Sequence, residues 1–442
     1  MTIASWFRDR AVRKVAKYGL PVAIGKFVMS ISGLVTLGVL TRHLGPTKFG
    51  VIALYRTVIT VVDQYANFNT WQSIVKLGTE QLAAGRPDEL RRIIKLAFLI
   101  DVCTGVLGVL VVVALASSIP DRFGWTPHEA ALCVLYAVTL VSRVNGTSDG
   151  IFRICDAYRV QAIVGSLGAM TMTVVVVIFV LCGAGFDGCV IALVLGEVSS
   201  NLATTVASFW VARKAGYGGW LRSVLAGIRR AHPGIVRFLV STNAQLTVRS
   251  TQGEIDMLVV GTVLGSESAG LFRVVKQVGG IPGKIFMPFE QVLFTELARA
   301  AASHEYRGFR SLLKRTVAIG TCGSLVVWLV VAMAAHPVVY LIAGPAFSAA
   351  AEPMRWFLLA MVLQVSAAPV MRAMVALGRP GTLFLFDSAS LVVLVALVIG
   401  AALQMGLVGV TLAMVAHKSL QLVWSTSWVW RHTVKLERVA RS

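Results

Sequence analysis

Leu44-Gly45-Pro46-Thr47-Lys48-Phe49-Gly50 sits between two long apolar runs. A slide of about 220 residues, half of the 442-residue chain, lays it on Leu264-Gly265-Ser266-Glu267-Ser268-Ala269-Gly270. The same slide lays Arg56 on Lys276 and Arg159 on Arg379, and it brings Arg91 and Lys95 near Arg310 and Lys314. Alone, a Leu-Gly turn with a second glycine five residues on is a generic connection between helices. Several offsets agreeing with the half-length mark an internal duplication, as in transporters built from repeats.

The flanking runs give the class. A membrane helix needs about 20 mainly apolar residues, and twelve stretches qualify: Tyr18–Leu40, Phe49–Trp71, Ile93–Ser118, Ala130–Val144, Val160–Cys182, Cys189–Val211, Phe238–Val263, Ala269–Leu297, Val317–Ala335, Met354–Met371, Gly381–Leu403 and Val408–Trp430. Turn chemistry separates them at Gly45-Pro46, Gly183–Gly185, Gly344-Pro345 and Arg379-Pro380-Gly381. Hydrophobic residues make up 56% and charged ones 14%, against roughly 25% charged in soluble domains. Mean hydropathy is +0.76. This excludes a soluble enzyme, a disordered chain and a nucleic-acid binder, despite a formal charge of +20. The expected fold is an all-α polytopic membrane protein, with 12 transmembrane helices in two six-helix lobes related by a pseudo-two-fold along the membrane normal.

Basic residues set the orientation. The odd-numbered loops hold only Arg42, Lys48 and Arg122 of the 41 Lys and Arg, and most of the rest lie in the termini and even-numbered loops. By the positive-inside rule both termini are cytoplasmic. The expected organisation is a basic N-terminal segment (1–15), an N-lobe (16–213), a cytoplasmic linker (214–233), a C-lobe (234–431) and a tail (432–442). The first apolar run is too long for a cleavable signal peptide. Of the six cysteines, Cys182 and Cys189 flank an outward-facing turn, where an oxidising compartment permits a bridge.

Charge inside a bilayer is costly, so it should face water or a partner. Span 1 carries Lys26, Ser30 and Gly33 on one face. Span 2 carries Arg56, Thr60, Asp63 and Asn67, and span 7 carries Gln245, Arg249, Gln252 and Asp256. Span 8 adds Arg273, Lys276, Gly280 and Lys284, with a kink expected from Pro282 and Pro288. Spans 3, 5, 9 and 11 are almost uniformly apolar, Asp101 and Asp387 being their only charges apart from Lys95 at the start of span 3, and read as lipid-facing or packing helices. Spans 1, 2, 7 and 8 are therefore expected to line a wet cavity between the halves. Lys26, Arg56, Arg249, Arg273 and Lys276 form a cationic ladder along it, suited to an anion such as phosphate. Asp63, Glu254 and Asp256 are candidate ion-coupling groups or charge partners. Two readings stand for several of these. Arg249 with Glu254 or Asp256, and Arg56 with Asp63, read equally as structural pairs, while Lys26 and Lys284 read as snorkelling cations. Arg273 and Lys276 have no acidic neighbour on their own face, which favours a ligand role. Arg355, Glu197 and Lys418 read as packing or interfacial residues. No metal, cofactor, nucleophile–base or phosphate-loop pattern is present, so no catalysis is expected.

These residues carry a resemblance. Leu44-Gly45-Pro46-x-x-Phe49-Gly50, with Glu254-Ile255-Asp256-Met257-Leu258, Leu264-Gly265 and Ala269-Gly270-Leu271-Phe272, is similar to the polysaccharide transporter (Wzx-type) branch of the MOP flippase superfamily. The overall pattern covers almost the whole chain. The resemblance implies a V-shaped two-lobe transporter that moves polyprenyl-pyrophosphate-linked oligosaccharide from the cytoplasmic to the periplasmic leaflet. It implies membrane lipids, a polymerase and glycosyltransferases of the same pathway as partners, no nucleic acid, and a monomer. MurJ-type relatives, which flip the cell-wall precursor, have arginines implicated in holding pyrophosphate, and Lys26, Arg56 and Arg273 match them by position. A Lys on span 1 departs from that pattern. The two further C-terminal spans of those relatives are absent, so the cell-wall precursor is not the expected substrate. A MATE-like exporter and a membrane-embedded polymerase or ligase are the competing readings. The first would use acidic lumen residues, and the second a large outer loop.

Overall fold

The computed structural model describes residues 10–68, 70–116, 118–225, 252–281, 297, 300–301 and 306–439. Every regular element among them is helical: α1 (Arg10–Ala66), α2 (Trp71–Ala83), α3 (Pro87–Leu115), α4 (Ile119–Phe123), α5 (Pro127–Ala137), α6 (Thr139–Ser142), α7 (Asn145–Ile154), α8 (Tyr158–Leu181), α9 (Phe186–Ala212), α10 (Ile255–Gly279), α11 (Tyr306–Met333), α12 (Ala335–Ala343), α13 (Ala351–Ala376) and α14 (Pro380–Val439), with short π and 3-10 turns between some of them. Nine helical stretches among the described residues are long and apolar enough to cross a membrane. Two of them, Val22–Ala83 and Gly381–Arg438, are 62 and 58 residues long and each holds two expected spans. The protein is a multi-pass helical membrane protein.

The chain differs from the sequence expectation where helices meet. Instead of a loop over 41–48, α1 kinks at Gly45 (φ 71°, ψ 176°), and α10 kinks at Gly265 in nearly the same conformation (φ 82°, ψ 178°). Glycine adopts such a positive φ without a steric penalty. Proline at 46 then restarts the helix at a position where no N–H is needed. Span 2 ends at Ala66, and the expected loop after it is largely the helix α2. Span 4 is broken into α5 and α6, α7 follows where a loop is expected, and residues 336–352, expected as an outer loop, are mostly helical. In each case the helices are too short or too polar to register as apolar runs. Their ends are signalled locally: Thr126 and Glu129 form a reciprocal capping box before α5, and Pro87 opens α3 with Asp88 and Glu89 in its first turn.

Two compact units emerge, Met1–Leu44 with Tyr55–Ser250, and Gly45–Leu54 with Thr251–Ser442. In the first, Ile74, Leu90, Ile93, Ile94, Ile151 and Phe152 form a buried core. The beginning of the expected linker packs onto it. Trp220 is buried against Phe98 and Phe209, with ring centroids 5.3 and 4.7 Å away. Lys95 and Arg91 bond the carbonyls of Ser223 and Gly216 at 2.7 and 2.8 Å. Helices α1 and α8 run parallel in a fixed register: Ser166, Thr173 and Ala184 meet Gly25, Ser32 and His43, each 141 positions apart. In the second unit, Leu297, Phe309, Leu313, Val370, Ala373 and Met374 form the core. The 45–54 segment packs there through Phe49, whose ring meets Phe347 edge-on at 5.9 Å. The spans read as uniformly apolar present exposed Leu107, Val174, Ile319 and Val392, the surface a bilayer covers. Cys182 and Cys189 are both free thiols.

Candidate functional site

The intramembrane polar residues gather into one cluster within each unit. In the first, the break between α6 and α7 carries Arg143 and falls within the candidate span Pro127–Ile154, and irregular backbone at membrane depth is tolerated only when buried in protein or facing water. Its guanidinium reaches Asp63 on α1 at 3.2 Å and also pairs with Glu197 on α9. Tyr136 on α5 donates to Glu197 at 2.8 Å, and Arg56 on α1 adds its field to the same carboxylate. Two cations thus face two carboxylates. Asp63 pairs with Arg143, a partner that the spacing on span 2 does not suggest. Glu197, read as packing or interfacial, is at the centre of the network.

Beside it, Asp101 on α3 is 1% exposed. It accepts hydrogen bonds from Thr70 Oγ1 at 2.7 Å, and from the backbone N–H and hydroxyl of Thr147 at 2.7 and 2.8 Å. Thr147 lies in the first turn of α7, so this carboxylate from another helix caps that N-terminus. Gly146 makes the approach possible, since a methyl there would overlap Thr70 Oγ1 and stand 3.0 Å from Asp101.

In the second unit, Lys276 donates to Asp256 at 2.8 Å and to the carbonyl of Gly253. Asp256 is 1% exposed, so the pair is largely desolvated. Lys276 thereby gains, from across the Gly265 kink of α10, the acidic partner that span 8 lacks. Lys418 on α14 lies within electrostatic reach of Asp256 and Asp387 and donates to Gln421 at 3.1 Å. Gln421 and His417 converge on Ser390, at 3.0 and 2.6 Å, and Gln252 holds the Asp387 carbonyl at 2.6 Å. Glu254 Oε2 is buried and takes no hydrogen bond from the described residues. Lys26 is exposed, and Arg56 and Arg273 are half-buried. Arg249, Lys284, Pro282 and Pro288 lie outside the described residues. Among the described residues no metal-binding cluster of His, Cys, Asp or Glu occurs.

Sequence reasoning missed Arg143, Asp101, Asp387 and Lys418 as network members. Each is an isolated charge within a largely apolar run, and that isolation was the available signal. What the clusters do chemically is hold nearly balanced charge at fixed positions inside the membrane.

Known proteins share this architecture. The profile of the polysaccharide biosynthesis protein family matches residues 39–352. The inner membrane protein YghQ of Escherichia coli (strain K12) is 24% identical over 297 residues, 65% of this chain and 82% of that protein. An inward-facing multidrug resistance MATE family transporter of the MOP superfamily superposes with a TM-score of 0.75 at 16% identity, over 93% of this chain and 96% of that one. The lipid II flippase MurJ in an inward closed conformation gives 0.69 at 12% identity, over 94% and 89%. These two likenesses show the fold, and the fold is that of MOP-superfamily transporters, as the Leu-Gly-Pro-x-x-Phe-Gly resemblance predicted.

Proposed function

We propose a function from one premise: the chain belongs to the polysaccharide biosynthesis protein family. It is a multi-pass membrane transporter with the MOP-superfamily fold. On our reading it is a flippase that carries polyprenyl-pyrophosphate-linked oligosaccharide from the cytoplasmic to the periplasmic leaflet by alternating access, with both termini cytoplasmic and no catalytic step. The observation that carries this is the family match, joined to the cations Lys26, Arg56, Arg249, Arg273 and Lys276 on spans 1, 2, 7 and 8. Guanidinium groups hold a pyrophosphate bidentately, and an ammonium adds charge without that geometry. Asp63, Glu254 and Asp256 serve as charge partners or ion-coupling groups. Halves 16–213 and 234–431, joined by 214–233, act as the two moving bodies. An anion moving outward from a negative cytoplasm gains about 2.3 kcal/mol per charge per 100 mV, enough to drive the cycle by membrane potential.

The test is flipping of a fluorescent polyprenyl-pyrophosphate oligosaccharide in proteoliposomes under an imposed potential. Transport should rise with an inside-negative potential. It should fall about tenfold or more in Arg56→Ala and in Arg273→Ala, each losing charge-assisted hydrogen bonds to phosphate. Undiminished transport in both variants would make these arginines structural. The second reading, a MATE-like exporter, is favoured by the MATE superposition. It prevails if no lipid moves while organic cations exchange for protons.

A further inference from the structure

A groove beside the exposed apolar stripes of α1 (Phe27, Ile31, Val35) and α8 (Val174, Ile178) belongs to neither polar cluster. Small residues bring α1 and α8 together at one end, where a methyl on Gly25 would stand 3.1 Å from the Ala162 side chain. The hydroxyls of Thr36 and Thr173, 2.9 Å apart, tie the helices further along. Beyond that tie each helix presents a stripe at i, i+3 and i+4. Val39, Arg42 and His43 from α1 and Val177, Val180 and Leu181 from α8 line a groove of about 350 Å³. That size falls at the lower end of the range for small-ligand sites. His43 Nε2 closes the far end by donating to the Ala184 carbonyl at 2.7 Å. Four of the six lining residues are apolar, and Leu181 is 80% exposed. Arg42 stands exposed at the rim.

Charge complementarity indicates the occupant. The odd-numbered loops hold only three of the 41 Lys and Arg, and Arg42 is one of them. A cation kept at the cation-poor side, at the mouth of an apolar groove facing the bilayer, matches a lipid with a phosphate at one end and a hydrocarbon chain at the other. We propose that this groove docks one anionic membrane lipid, its acyl chain along Val39, Val177, Val180 and Leu181 and its phosphate on Arg42. On the orientation given by the charge count, the lipid comes from the periplasmic leaflet. The proposal stands whichever substrate is carried.

The test uses the full chain in nanodiscs of phosphatidylcholine containing a trace of photoactivatable phosphatidylglycerol or, in parallel, photoactivatable phosphatidylcholine, with labelled peptides mapped by mass spectrometry. Phosphatidylglycerol should label the 39–43 and 177–184 segments about fivefold more than phosphatidylcholine, the preference one Arg confers near a lipid phosphate. Arg42→Gln should abolish that preference and Arg42→Lys retain it. Val177→Trp, which fills the groove, should remove the label from both lipids. Equal labelling by the two lipids in the wild type overturns the anionic-lipid assignment, and a preference that survives Arg42→Gln overturns the role of Arg42. Labelling that persists in Val177→Trp overturns the chain placement.

Discussion

At Arg143 one guanidinium holds Asp63 and Glu197 together, and the three side chains are 13, 24 and 15% exposed. Removing the cation leaves two carboxylates crowded in a poorly solvated site. Arg143→Met should therefore lower stability by about 3 kcal/mol, the usual cost of breaking a buried pair from one side. Arg143→Lys should recover only part of it, since a compact ammonium cannot match a planar fork that reaches two carboxylates. Thermal unfolding in detergent reads both changes. A Met variant as stable as the wild type would mean that water, and not Arg143, compensates the acids. This pairing was not legible in the sequence. Asp63 lies seven residues from Arg56 on the same helical face, whereas its partner comes from a broken helix about 80 positions away.

The two Leu-Gly turns are where an element-scale argument applies. Gly45 and Gly265 share one backbone conformation, as repeat partners should. Their downstream glycines meet in the second unit: a methyl on Gly50 would overlap the Ser266 carbonyl, and one on Gly270 would overlap the Pro46 carbonyl. Ser266 and Pro46 are themselves related by the 220-residue slide, so the contact is reciprocal, as at a two-fold axis. Backbone meets backbone here, and neither side has a flexible atom to move. Gly50→Ala and Gly270→Ala should each cost about 1–3 kcal/mol through overpacking. Gly400→Ala, in an open stretch of α14 where an added methyl meets nothing within 4 Å, should be neutral or stabilising through helix propensity. Melting midpoints of the three variants check this, and equal behaviour would mean that the crossing relaxes freely.

For the whole molecule the testable quantity is orientation. Cys182 is exposed at the end of α8, in the turn expected to face outside. Cys155, in the turn between α7 and α8, is half-buried, and burial pushes its thiol up to about 11. At neutral pH only about one Cys155 in ten thousand is then thiolate, the reactive form. A membrane-impermeant maleimide applied to intact cells, with an outer membrane it can cross, should label the protein through Cys182 and lose the signal in Cys182→Ala. Cys155 should stay unlabelled even after permeabilisation. Labelling of Cys182 only after permeabilisation would reverse the orientation.

What the sequence by itself determined were the properties that depend on neighbours along the chain. Runs of apolar residues gave the membrane class, and two Leu-Gly turns half a chain apart gave two matching kinks, because hydrophobic length and a glycine's positive φ are local matters. Tertiary structure alone decided which charges meet: Asp63 with Arg143, Asp256 with Lys276, Asp101 with the start of α7. It also decided that span 4 breaks and that α1 and α8 leave a groove beyond their threonine tie. Those outcomes depend on how each helix is rotated and which small residues let it approach. In a bilayer a buried charge takes whatever partner that packing brings, however far away it lies in the chain.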